Sequence, residues 1–97
     1  MLNSRSEVAT DAAARYAKQL ASHLSRKAEV VPDPEGDRIL IGEGSCLLLA
    51  GEHSLVLDAS APSEEALRRV QDVVGRHLEK FGARNGLTVV WGETVVG

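Results

Sequence analysis

The sequence predicts an α+β domain in the order (β)-α-β-β-β-β-α-β, with two helices packed on one face of a mostly antiparallel sheet of four to six strands. Three observations predict it. Pro62 to Gly82 carries apolar residues at helical spacing. Ala28 to Ser60 switches to alternation with a period of two, cut by turn residues. The turns between those runs are too short for parallel crossovers, so successive strands must run antiparallel. Both helices then need a surface to cover, and one face of the sheet is the available partner.

Along the chain, Met1 to Ser6 reads as a frayed tail and Glu7 to Ala9 as a short edge strand. Thr10 is placed to cap a helix from Asp11 to about Lys27. Ala13, Tyr16, Ala17, Leu20 and Leu24 form its apolar stripe, with His23 and Lys27 on the edge of it. Ala28 to Pro32 reads as a strand stopped by Asp33-Pro34-Glu35-Gly36-Asp37, a dense turn signal. Arg38 to Gly42 is the next strand, Glu43-Gly44 a tight hairpin turn, Ser45 to Ala50 a third strand and Ser54 to Ser60 a fourth.

In the long helix, Leu67, Val70, Val74, His77, Leu78 and Phe81 share one face. Ser63 stands where an N-cap oxygen belongs, Glu64 and Glu65 fill the first turn, and Gly82 ends it. Leu87 to Val95, carrying Trp91, reads as a last strand, either beside the first strand of the meander or next to the fourth.

The bulk properties restrict function. Ninety-seven residues make one domain. A net charge of −3 argues against a nucleic-acid or anionic-membrane surface, and no apolar run is long enough to span a bilayer. The N-terminus has no apolar signal-peptide core, and Cys46 is the sole cysteine, so the expected setting is a reducing cytoplasm without an internal disulfide.

Two features suggest a site. If Ile39, Ile41, Cys46, Leu48, Leu55, Leu57, Val89 and Trp91 face the helices, then Leu40, Leu47, Leu49, Val56 and Val90 face away. An apolar outer face of about a few hundred Å² is unusual on a monomer, so a second copy, a partner domain or an apolar ligand is expected to cover it. The other feature is His77, the one polar residue on an apolar helical face. Its bland reading is a core-edge imidazole bonded to a backbone carbonyl. Its functional reading joins it to His23, with Cys46 on the strand beneath, as a metal or ligand site, although no cofactor is required.

Other motifs fail. Gly42-Glu43-Gly44 precedes a strand rather than a helix, so it is not a dinucleotide loop. Asp33, Glu35 and Asp37 lack the glycine and bidentate glutamate of a calcium loop. Arg68, Arg69, Arg76 and Lys80 read as a solvated helix surface, with Glu64, Glu65 and Asp72 placed to compensate the arginines at i, i+4.

Four stretches together resemble a known family. They are Ala14-Arg15-Tyr16-x-x-Gln19-Leu20-x-x-His23-x-x-x-Lys27, Gly44-x-Cys46-x-Leu48, Val70-Gln71-Asp72-Val73-Val74-x-x-His77-Leu78-Glu79-x-Phe81, and Leu87-x-Val89-x-Trp91. In this order they resemble the bacterial domain-of-unknown-function family 2218, from about Val8 to Trp91. The family has no established activity. Its members also occur fused to, or encoded near, siderophore-interacting ferric reductases, so the resemblance implies a loose link to iron handling. It singles out His23, Lys27, Cys46, His77 and Glu79. Arg26 replaces a second histidine that many members carry on the first helix, and Ala17 and Leu24 replace bulkier residues, which implies a packing gap there.

The resulting expectation is a non-catalytic accessory module that dimerises or docks through its outer sheet face. The alternative is a small metal- or ligand-binding domain, conceivably an enzyme, using His23 and His77.

Overall fold

Four alternating runs joined by tight turns dictate the middle of the molecule. The computed structural model, which describes residues 1–97, shows them as an antiparallel meander. Its strands are β2 (Glu29–Asp33), β3 (Gly36–Ile41), β4 (Gly44–Ala50) and β5 (Ser54–Ala61). Before them come β1 (Leu2–Ala9) and α1 (Ala13–Leu24). After them come α2 (Glu64–Phe81), a single 3₁₀ turn (Ala83–Asn85) and β6 (Val95–Val96). The six strands form one sheet in the order β2-β3-β4-β5-β1-β6, with every neighbouring pair antiparallel.

The inner face reads off the register. Ile39, Cys46, Ala59 and Ser4 make one row across four strands; Leu48, Leu57 and Ser6 make the next; Leu55 and Val8 stand in a third. All of these are buried. Both helices cover this face. α1 contributes Tyr16, Leu20 and Leu24 to the core, and α2 contributes Leu67, Val70, Val74 and Leu78. Each fully buried aliphatic side chain is worth about 1.5–3 kcal/mol. Four of them on α2 therefore outweigh the cost of about 1 kcal/mol for Gly75 in mid-helix. α2 starts as the sequence predicts: Ser63 Oγ accepts the Ala66 N–H at 3.2 Å, and Gly82 follows the last turn.

Several expectations need correction. Met1 to Ser6 is not a tail, and Glu7 to Ala9 is not a short edge strand. Leu2–Ala9 is one eight-residue strand, held between β5 and β6. Its polar look misleads because its inward positions are small hydroxyls, Ser4 and Ser6, which a sheet can bury beneath a helix. Ser4 Oγ donates to the Gly92 carbonyl at 2.9 Å, whereas Ser6 Oγ has no partner.

α1 is shorter than Asp11 to Lys27. Thr10 Oγ1 accepts the Ala12 N–H at 3.1 Å in the turn before the helix, which starts at Ala13 with no side-chain cap. After Leu24 the chain tightens, and the Lys27 and Ala28 N–H groups both bond back to the Leu24 carbonyl. The hairpin turn is Gly42-Glu43, one residue earlier than expected. Gly42 takes φ +58 and Glu43 is not left-handed, the arrangement of a II′ turn.

The expected last strand, Leu87 to Val95, does not join the ladder over most of its length. It leaves α2 as an extended strap and pairs only through Val95–Val96, with Leu2 and Asn3 on β1. It therefore sits beside neither the first nor the fourth strand of the meander; β1 occupies the place next to β5. Side-chain contacts explain the departure. Glu79 Oε2 takes the Val89 N–H at 2.9 Å, and the side chains of Val89 and Trp91 fill the notch left by Gly75.

The outer face also differs from a continuous apolar patch. Leu47 lies in register between Arg38 and Asp58 and is only 7% exposed. Asp58 pairs with Arg5 at 2.9 Å and Arg38 with Asp33 at 3.5 Å, so charged side chains span the sheet on either side of Leu47. Leu49 and Val56 face each other half-exposed. Val90 is exposed on the strap, not on the sheet.

The two inward serines give a paired test. Ser4→Ala should cost about 1 kcal/mol of unfolding free energy in urea, because it removes a satisfied hydrogen bond that ties the strap to β1. Ser6→Ala should cost nothing or raise stability, because its hydroxyl is buried without a partner. Equal losses at both positions would contradict this description of β1.

Candidate ligand-binding cleft

Arg69, Val73 and His77 stand four residues apart and so line one strip of α2. Leu24, Lys27 and Ala28 do the same at the end of α1. The two strips face each other, and the Leu40-Ile41-Gly42 end of the β3 hairpin closes the third side. Between them lies a cleft of about 270 Å³. Leu24 and Ile41 are buried beneath it, Ala28 and Val73 are half-buried, and Leu40 stands at 36% exposure. Gly42, with no side chain and a left-handed backbone, leaves the hairpin side open to the Arg69 side chain.

His77 lies on the seam between the helices. Its Nδ1 is 2.6 Å from the Val73 carbonyl oxygen, which can only accept, so Nδ1 carries the proton. In the neutral ring Nε2 is then the free acceptor. His77 thus has the backbone-carbonyl bond of its bland reading, and it also lines the cleft. His23 is exposed one helix away, with its ring centre 5.1 Å from that of His77 and tilted by 47°. Phe81 meets His23 edge-on at 5.3 Å and closes that end of the seam. Desolvation, the neighbouring His77, and then Arg26, Lys27 and Lys80 hold the His23 imidazole below the ordinary histidine value of 6.5. A group so depressed resists protonation when folded, so its contribution to stability is lost as pH falls below 6.5.

Cys46 does not join them. It faces the helices from the middle of the sheet, fully buried, and burial together with the Asp58 charge pushes its thiol up to about 12. A protonated thiol is neither a metal ligand nor a nucleophile. No group of three or more His, Cys, Asp or Glu side chains is arranged to enclose a metal ion. Glu79 holds the strap through Val89, away from the cleft. Lys27 does line the cleft.

Arg69 is the residue that sequence reasoning missed. It was read as part of a wet surface neutralised by Glu65. In the structure no ion pair forms along α2: the four pairs present are Arg5–Asp58, Arg38–Asp33, and His53 with Asp11 and Glu52. The Arg69 side chain lies against Gly42, where it borders the cleft on one side and a second depression lined by Glu43 and Glu65 on the other. The signal was available in the four-residue spacing from Arg69 through Val73 to His77, which continues the strip that carries the histidine. Ala17, where a packing gap was expected, lines a separate open depression beside the β2–β3 turn, and Leu24 lines the cleft itself.

The chain belongs to the family described as an uncharacterized protein conserved in bacteria (DUF2218), whose model matches residues 5–92. It is similar to a protein of Pseudomonas aeruginosa, PA4090, solved by NMR. The two share 35% identity with a TM-score of 0.78, over 95% of this chain and 96% of the other. No curated protein matches the chain. No helix is long and apolar enough to cross a membrane.

The buried thiol gives a direct check. Cys46 should resist a thiol-specific reagent in the native protein and react at once in denaturant. Stability should also fall as pH rises above 9.0, because the unfolded thiol ionises there while the folded one holds its proton to about 12. Cys46→Ala should remove that alkaline slope, and rapid labelling of the native wild type would contradict the placement.

Proposed function

We propose that this DUF2218 protein is a small non-catalytic binding module whose cleft between the helices takes an anionic molecule with an apolar body. One observation carries this reading. Lys27 and Arg69, neither of them in an ion pair, line the same cleft as His77, together with the apolar Leu24, Ala28, Ile41 and Val73. Such a site suits a carboxylate or similar anion: the guanidinium offers a bidentate fork, and the aliphatic floor receives a short chain. The lining contains no Ser, Thr or Cys nucleophile and no carboxylate, so the reading rests on binding.

The volume of about 270 Å³ lies just under the range of about 300–1,000 Å³ usual for drug-sized ligands, so the ligand is fragment-sized. In the setting of iron-siderophore handling, the natural candidate is a carboxylate fragment rather than an intact ferric chelate. A cytoplasmic site of action agrees with a free, protonated thiol in the core.

A second reading, self-association through the outer sheet face, is favoured by the half-exposed Leu49–Val56 pair and by Leu40. It predicts a concentration-dependent dimer in sedimentation that Leu49→Lys abolishes while the circular dichroism spectrum is unchanged.

Calorimetry with hexanoate tests the principal reading. Wild type should bind hexanoate and not hexanol. Arg69→Met or Lys27→Met should weaken binding by about tenfold, the equivalent of one charge-assisted hydrogen bond. Equal binding of hexanol, or unchanged affinity in both variants, would refute it.

A further inference from the structure

We propose that His23 and His77 form a two-imidazole site for a divalent transition metal at the mouth of the cleft, bridging α1 and α2. The proposal stands on ring geometry and does not depend on the cleft taking a carboxylate. Three features carry it.

The first is distance. A metal–imidazole bond of about 2.0–2.1 Å puts the metal about 3.2 Å from the ring centre. Two such rings at a tetrahedral angle then have centres about 5 Å apart. The observed separation is 5.1 Å.

The second feature is orientation of the donor. The Nδ1–H of His77 is spent on the Val73 carbonyl at 2.6 Å, which fixes the tautomer and leaves the Nε2 lone pair for a metal. A ligating histidine anchored through its other nitrogen to a carbonyl is the usual supporting arrangement.

The third is availability of the other ring. His23 is exposed and its ring nitrogens have no hydrogen-bond partner, while its edge-on contact with Phe81 at 5.3 Å holds the ring beside His77.

Charge sets the limits. Arg26, Lys27 and Lys80 surround His23 with no compensating carboxylate, and no third protein ligand is present. These cations oppose a bare divalent ion, so affinity is modest and two coordination positions remain for water or an anion. Imidazole donors favour Zn, Co, Ni and Cu over Mg or Ca. His53, the remaining histidine, is far along the chain on the β4–β5 loop and bonded to Asp11 at 2.8 Å, which makes it an internal control.

The test is titration of the full chain with Co(II) in a non-chelating buffer, followed by visible d–d absorption and thermal melting. Wild type should bind one Co(II) with the intense spectrum of a four- or five-coordinate site, release it to Zn(II), and melt at a higher temperature with metal. His23→Ala, an exposed change that leaves the fold intact, should weaken binding by about tenfold or more and remove the thermal shift. His77→Gln should do the same, and His53→Ala should change neither signal. Retention of both signals in His23→Ala, or the absence of a Co(II) spectrum in the wild type, would overturn the proposal.

Discussion

The structure depends on one-sided coverage of the sheet. α1 and α2 lie side by side over β3, β4 and β5 because the inner rows of that sheet offer the only surface able to bury Tyr16, Leu20, Leu24, Leu67, Val70, Val74 and Leu78. Placing both helices on one face brings the end of α1 against the middle of α2. The seam between them holds the His23–His77–Phe81 ring cluster and, just beside it, the cleft. On opposite faces the same residues would be separated by the thickness of the sheet, and neither feature would exist.

The termini complete this arrangement. β1 pairs along its full length with β5, and β6 pairs with β1, so both chain ends meet at one edge. Between α2 and β6 the strap is fixed by three unlike contacts: Glu79 on Val89, the Gly75 notch filled by Val89 and Trp91, and Gly92 bonded both to Ser4 Oγ and to the Arg5 carbonyl. Glu79 thus fastens the backbone of the strap. The outer face is kept from being continuously apolar by the Arg5–Asp58 and Arg38–Asp33 pairs. Exposed pairs of this kind contribute little to stability, yet they interrupt a surface that would otherwise invite association.

Much of this was legible in the sequence, because the strongest signals are periodic. The inward positions Ile39, Ile41, Cys46, Leu48, Leu55 and Leu57 follow from alternation alone, and α2 follows from its spacing, its Ser63 cap and its Gly82 stop. β1 was hidden because a strand that buries Ser4 and Ser6 has no apolar alternation over Asn3 to Ser6. The strap was hidden for the opposite reason: Leu87, Val89 and Trp91 alternate as a strand would, but they pack against a helix notch instead of a ladder. Arg69 was hidden because an i, i+4 acid suggests a partner, and exposed i, i+4 pairs are too weak to hold a long side chain against a better use. His23 and His77 stand 5.1 Å apart and Lys27 lines the cleft with His77, whereas Cys46 is fully buried in the core, where a thiol behaves as a small apolar side chain.

The most direct test of the central claim, that the seam between the helices is the working surface, is amide chemical-shift mapping of the ¹⁵N-labelled chain during titration with hexanoate. The account predicts shifts confined to Leu24–Ala28, Leu40–Gly42 and Arg69–His77. Shifts centred instead on Leu47, Leu49 and Val56, or no shifts at all, would contradict it.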